Sequence, residues 1–257
     1  MQKNQQVMYP EEREYSWQDG KTLTIGKKTL IMGILNVTPD SFSDGGKWNS
    51  VDRAVQHMLE MVVNGADIID IGAESSRPGF VTMSAKEEIE RLKPFLEAVL
   101  PACPVPVSID TFKAETAAYA AEQGVHMLND IWGLQYAEEP GEMAKVAAEY
   151  DLPVVVMHNR DSKVYKGDII DNMRAFFQRS IDIACEAGVK QENIILDPGI
   201  GFGKDVEGNL EVMNRLQELK KFAGHRYPLL LGTSRKSFIG NTLDLPVEDR
   251  MEPTGAT

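Results

Sequence analysis

The chain has 257 residues, 42% of them hydrophobic, which is enough for a sizeable core; α/β barrels commonly reach this size as one domain. Its formal net charge of −12 argues against nucleic acid or an anionic membrane surface as the main partner. An anionic ligand would need locally placed cations or helix N-termini to offset that mean field.

Residues 1–13 are polar. Between Tyr15 and Ile25 short apolar positions flank Asp19-Gly20, a favoured two-residue turn, so the spacing predicts a β-hairpin covering the floor of the main fold. An apolar run over residues 30–35 predicts the first main strand. It ends at Asn36 and breaks into a polar loop containing Pro39, Asp40, Ser43 and Gly45-Gly46. A helix follows, with Ser50 placed to cap it. Val51, Ala54, Val55, Met58 and Val62 share one face at 3.6-residue spacing, and Gly65 suits its exit. The second strand covers residues 67–71 and runs into GAESSRPG at 72–79. Ser84 with Glu87 three residues later reads as a capping box, and Pro94 is expected to kink the helix it opens.

The third strand, residues 105–109, finishes at Asp110, and an alanine-rich helix follows over 113–123. The fourth, 125–128, finishes at Asn129-Asp130; a loop with Trp132 and Tyr136 leads to a short helix ending near Tyr150. The fifth, 153–157, finishes at His158-Asn159 and precedes a long helix over 169–187. The sixth, 193–196, finishes at Asp197 and PGIGFGK, followed by a helix over 208–222. The seventh, 227–231, finishes at GTSRK, residues 232–236.

Seven short apolar strands alternating with amphipathic helices predict a parallel sheet, and units this regular predict a (β/α)8 TIM-type barrel. No glycine-rich dinucleotide fingerprint follows the first strand, which speaks against a doubly wound sheet. Residues 1–28 are read as tail and hairpin, and 29–257 as the barrel domain, incomplete at its C-terminus because an eighth strand and helix are not accounted for. The first and seventh strands are then expected to have unpaired edges. Barrel active sites form at the C-terminal ends of the strands, where Asn36, Asp110, Asn129, Asp197 and Lys236 collect.

Two carboxylates, an amide and a cation in one concavity suit a flat heterocycle with donors and acceptors along one edge. A strand-terminal Asp can equally cap the next helix; Asp110 is most open to that reading, because Thr111 and Lys113 look like a helix start. Arg77 and Lys236, with Arg235, are the cations placed for a phosphate, and Ser237 opens a short helix. His158 is read as a polar strand-end residue lining the mouth, and the methionines of the first helix as core. Cys103 and Cys185 lack metal-ligand spacing and are read as buried free thiols of a reducing cytosol. Any metal would be Mg²⁺, carried by substrate phosphates and touched by Asn36. No apolar stretch is long enough to span a membrane, and MQKNQQ does not read as a signal peptide.

Seven segments in order, GILNVTPDSFSDGG, GAESSRPG, SIDTFK, LNDIWG, VMHNRD, LDPGIGFGK and GTSRKSFIG, resemble those of the dihydropteroate synthases, over residues 29–257. SFIGNTLDLPVEDR is similar to Bacillus-type members. The resemblance implies condensation of 6-hydroxymethyl-7,8-dihydropterin diphosphate with p-aminobenzoate in folate biosynthesis. It implies that Asp110, Asn129, Asp197 and Lys236 hold the pterin, with Ile131, Met157, Phe202 and Gly232 lining its pocket. Asn36, Arg77 and Lys236 would be the catalytic set, Asn36 meeting the Mg²⁺-diphosphate. Thr38, Pro39, Phe42, Ser43, Ser76, Arg77, Pro78 and Ser237 would surround p-aminobenzoate, where sulfonamides act in this family. It further implies a cytoplasmic enzyme, homodimeric in the family, with no nucleic-acid or membrane partner. Ala73 and Ser76 replace Gly and Thr of the family's usual second loop, and the family's last-strand Arg-x-His pair is not found. An inactive truncated product and a pterin-binding methyltransferase-like domain are the alternatives.

Overall fold

In the computed structural model, residues 12–38, 46–74, 82–222 and 224–257 are described. The chain opens with an antiparallel hairpin, β1 (Arg13–Ser16) and β2 (Thr22–Ile25), in the register Ser16↔Thr22. Its turn is one residue longer than Asp19-Gly20 suggests. The Trp17 N–H still bonds to Lys21 O at 3.0 Å, so the loop is residues 18–20 with Gly20 at φ 85°. This is the three-residue solution, in which glycine takes the left-handed position without a Cβ penalty.

Six strands form one parallel sheet in sequence order: β3 (Met32–Asn36), β4 (Ile68–Gly72), β5 (Val107–Asp110), β6 (Met127–Asp130), β7 (Val154–Met157) and β8 (Ile194–Asp197). They are joined by α1 (Gly46–Val63), α2 (Ala85–Ala102), α3 (Ala114–Glu122), α4 (Glu142–Glu149) and α5 (Ile169–Ala187). Then come α6 (Val206–Asn214), a two-rung hairpin of β9 (Lys221–Phe222) and β10 (His225–Arg226), α7 (Ser237–Leu243) and α8 (Met251–Gly255). The predicted α/β barrel architecture is the one observed.

Alternation along the strands builds it. Val154, Val156, Ile194 and Leu196 point outward to the helices, together with Ile69, Ile71, Ile109 and Leu35, and meet helix residues such as Phe177 of α5. Val155, Ile195, Met127 and Ile68 point inward and pack on Tyr15 and Leu23 of the hairpin, which therefore forms the floor as expected. Both faces of the strands are covered, which is why β7 reads Val-Val-Val-Met without a polar position. His126 seals the floor: its Nε2 lies 3.0 Å from Asp19 Oδ2, and its Nδ1 accepts the Val107 N–H at 3.0 Å.

The capping box is present. The Ser84 side chain accepts the Glu87 N–H, and the Glu87 carboxylate accepts the Ser84 N–H. Helix α2 runs unbroken through Pro94. Several expectations are corrected. Ser50 lies inside α1 and is not its cap, because the polar stretch before it is already helical. The helix read over 208–222 ends at Asn214; the chain tightens into a 3-10 turn at Leu216–Glu218 and reverses in the β9–β10 hairpin. Residues 227–231 reach β8 through a single bridge, Leu196↔Leu229, instead of forming a seventh strand. Pro228 has no N–H to give a ladder, and its carbonyl alone accepts from Leu196. Cys103 is buried, but Cys185 is exposed on α5, next to the buried Ala184.

Among the described residues β3 pairs with β4 alone. Ile34, on the inward face of β3, is 51% exposed, and Val63 at the end of the neighbouring α1 is 86% exposed. The barrel wall is open along this edge.

Candidate active site

The strand ends share a common level. Asn36 pairs with Gly72, Gly72 with Asp110, and Asp110 with Asn129, so one rung crosses β3 to β6. Gly72 gives Asp110 its room: a Cβ there would meet Asp110 Cβ and Oδ2 at 3.3 Å. Met157 pairs with Asp197 on β7 and β8. Lys236 reaches the mouth from the turn before α7; its Nζ donates to Ile200 O and lies 4.4 Å from the centre of the Phe202 ring. A Cβ at Gly232 would come within 3.9 Å of that Nζ. Ile131 and Met157 form a small apolar cluster with Phe112, flanked by Trp132, Tyr136 and Phe202.

Asp110 does not cap the next helix. The N-cap of α3 is Lys113, with no side-chain bond, and the Ala114 N–H is taken by Glu139 at 2.7 Å. Burial raises the Asp110 carboxyl well above its ordinary range, and the neighbouring Asp70 charge adds to this. Asp197 is also raised by burial; the Gly199 N–H, at 2.7 Å from Oδ1, and the cations Lys236 and Lys204 oppose it. Burial lowers the Lys236 ammonium and Asp197 supports it. Lys236 is therefore one locally placed cation of the kind an acidic chain needs for an anionic ligand.

Several residues here escaped the sequence reading. Asp70, one layer below the rung and 3% exposed, accepts from Asn129 Nδ2 at 3.0 Å. Its signal was an acid inside the apolar run IIDI, on the inward phase of β4. Glu74, Lys113 and Glu88 form a buried ionic group; Lys113 pairs with both acids, and Glu88 Oε2 also accepts from Thr111 and Thr116 at 3.2 and 2.9 Å. Glu74 Oε1 accepts the Met83 N–H at 3.2 Å, so it fixes both flanks of residues 75–81.

His158 is corrected: it does not line the mouth. It is 2% exposed, beneath the loop that follows β8. Gly199, at φ 63°, passes so close that a Cβ would sit 2.1 Å from His158 O. Burial, then the charges of Lys204 and Arg160, bring the imidazole down to about 2. Burial likewise brings Lys204 down to about 7, with Asp197 opposing.

Asn36 is exposed and Thr38 half-buried at the end of β3. Pro39, Phe42, Ser43, Ser76, Arg77 and Pro78 lie outside the described residues. Arg235 faces away from the mouth: its backbone N–H bonds to Thr254 Oγ1 at 3.0 Å, and its Nε donates to Val247 O at 3.2 Å. A cavity of about 570 Å³ adjoins the apolar cluster, sharing Ile131 and Phe202 with it and bordered by Ser237, Arg160 and Lys163. Asp110, Asn129 and Asp197 do not line this cavity.

Residues 32–257 match the family model of pterin binding enzymes. The chain is 54% identical over 237 residues to the dihydropteroate synthase of Clostridium beijerinckii, covering 92% of this chain and 86% of that protein. The chain belongs to the dihydropteroate synthase family. The Bacillus subtilis dihydropteroate synthase is 52% identical over 235 residues, 91% of this chain and 80% of that one. A solved dihydropteroate synthase from Clostridium difficile, studied with pteroic acid, superposes with a TM-score of 0.84 at 50% identity, covering 90% of this chain and 85% of that one. The synthase resemblance read from the seven segments is thus the correct one, and the methyltransferase-like alternative gives way.

Proposed function

We infer that the protein joins 6-hydroxymethyl-7,8-dihydropterin diphosphate to p-aminobenzoate, giving 7,8-dihydropteroate and pyrophosphate. The observation that carries this reading is the convergence of Asp110, Asn129, Asp197 and Lys236 on one end of the barrel, beside the apolar Ile131, Met157 and Phe202. A pterin offers an amide-amino edge to the carboxylates and the Asn129 amide, and flat faces to the apolar side chains.

The methylene-oxygen bond breaks first, leaving a cation that the electron-rich pterin ring stabilises, and the amine nitrogen of p-aminobenzoate then bonds to the methylene. Pyrophosphate leaves with the electron pair, and the nitrogen loses a proton. Nothing in this requires a protein nucleophile. His158 and Cys103 are buried, and His158 is engaged by Lys204. Catalysis then rests on positioning and on stabilising the leaving charge. Lys236 supplies a cation in this scheme, and Arg77 a second.

Mg²⁺ fits as a partner of the diphosphate. Among the described residues no three acidic, His or Cys side chains group as a metal site, so protein ligands would be few. Asn36, an exposed neutral oxygen donor at the end of β3, suits an ion that keeps its waters and substrate oxygens. Bound there, the ion would neutralise the diphosphate. Around p-aminobenzoate we place Thr38, Pro39, Phe42, Ser43, Ser76, Arg77, Pro78 and Ser237, and sulfonamides would compete at that position. The same resemblance supports a cytoplasmic location; the family is homodimeric, but the last-strand and helix region expected at that interface is not found in these 257 residues.

The test is to follow dihydropteroate by mass with Mg²⁺ and both substrates, and to measure pterin affinity for the wild type, Asp197→Asn and Lys236→Met. Product from the wild type and at least tenfold weaker pterin binding in both variants are expected. A folded wild type that neither binds a pterin nor forms product overturns the reading.

A further inference from the structure

The proposed reaction gives Lys204 no task, yet this lysine is held on every side. It is 3% exposed, and its ammonium donates to Gly199 O at 2.9 Å, Phe202 O at 3.0 Å and His158 Nδ1 at 3.0 Å. An ammonium has three N–H donors, and here each has an acceptor. A buried cation is costly unless so compensated, which makes its place here informative. Two acceptors are carbonyls of one short loop and the third stands at the exit of β7, so Lys204 stitches the loop after β8 onto β7. The loop has two further ties: Gly201 N–H to Asn209 Oδ1 at 2.7 Å, and Tyr165 OH to Gly203 O at 2.9 Å.

The shape of this loop matters for what rests on it. Ile200 O accepts from Lys236 Nζ, and the Phe202 ring lies under the same nitrogen. Packing at Gly201 is tight as well: a Cβ there would meet Lys236 Cδ at 2.9 Å. Lys236 thus lies on a support that Lys204 shapes from below.

We propose that Lys204 is a positioning residue for Lys236, fixing the 199–203 loop so that the Ile200 carbonyl and Phe202 ring aim the Lys236 ammonium at the pterin. This rests on the reading of Lys236 as a pterin ligand. A double-mutant cycle separates the two, because contributions made through a shared partner are non-additive whereas independent ones add. The probe is 6-hydroxymethylpterin, titrated calorimetrically into the full chain. Lys204→Met is expected to weaken binding tenfold or more in the wild-type background and less than twofold in Lys236→Met. Tyr165→Phe, which loosens the same loop without removing a buried charge, is expected to weaken binding two- to fivefold, again only when Lys236 is present. If Lys204→Met does not fold, the Tyr165→Phe cycle decides in the same terms. Additive losses, or unchanged affinity in the folded variants, overturn the proposal. Full affinity in Lys236→Met alone overturns the pterin reading of Lys236, and this proposal with it.

Discussion

Acid should loosen this fold partly through one imidazole. His158 is neutral in the folded protein, its proton affinity reduced from 6.5 to about 2 by burial and by Lys204 and Arg160. The unfolded chain takes up that proton first, so folding stability falls as pH drops below about 6.5. Each pH unit costs about 1.4 kcal/mol while the unfolded imidazole is charged and the folded one is not. Between pH 6.5 and 4.5 this amounts to about 2.3 kcal/mol, since the unfolded imidazole is only half charged at the start of that window. His158→Asn keeps an acceptor close to the Nδ1 position, facing Lys204, and removes the titration. Buried acids pull the other way, Asp130 being raised to about 7 and Glu88 also upward, but they are common to both proteins and cancel in the difference. Urea unfolding at four pH values from 7.5 to 4.5 measures it. The variant starts less stable, because it loses the ring contacts to Phe176 and Phe177, and the gap should close by about 1.4 kcal/mol per unit below pH 6.5. Parallel stability curves would refute the reasoning.

Other perturbations have clear directions. Glu88→Ala leaves Thr111, Thr116 and half of the Lys113 pairing without their acceptor, and should cost about 3–5 kcal/mol in denaturant unfolding. Phe177→Ala opens a cavity at a fully buried site between α5 and the sheet; a loss of about 3–5 kcal/mol should appear as a lower Tm by calorimetry. Asp130→Asn can accept one of the two N–H bonds that Trp132 and Leu134 now direct at separate oxygens, and should cost about 1–3 kcal/mol at pH 7. The wild-type carboxyl is raised in the fold, so its stabilising effect is full in acid and fades as pH rises through about 7; the penalty of the substitution should therefore shrink from pH 5 to pH 8.

Most of the strands were legible because the apolar run ends in a polar residue at its C-terminal tip, as at Asn36, Asp110, Asn129, His158 and Asp197. Asp110, Asn129 and Asp197 could be placed at one mouth from that pattern alone. The helix over 169–187 was legible to the residue, since Asp168 caps it and Gly188 ends it. Properties set by tertiary contacts were not. His158 reads like any strand-end polar residue; it is buried because a glycine loop from the next unit closes over it. Lys204 reads as a surface lysine until its three acceptors, far apart in sequence in the case of His158, are brought together. Residues 227–231 carry the right apolar composition for a strand, yet Pro228 and the lack of a second neighbour among the described residues leave one bridge. Cys185 follows Ile181 by four residues, so the helical period alone does not take it off the buried face; its exposure is set by what packs on α5.

The rung from Asn36 to Asn129 also acts as a ruler. Its length is three strand spacings, at most about 14 Å, and it is set by backbone hydrogen bonding instead of by any side chain. On the proposed reading, a molecule that touches Asn129 with a pterin edge reaches Asn36 only if it carries a tail. A bare pterin is too short and a diphosphate ester is long enough. The barrel would therefore distinguish activated from unactivated substrate by length, before any charge on the tail is counted.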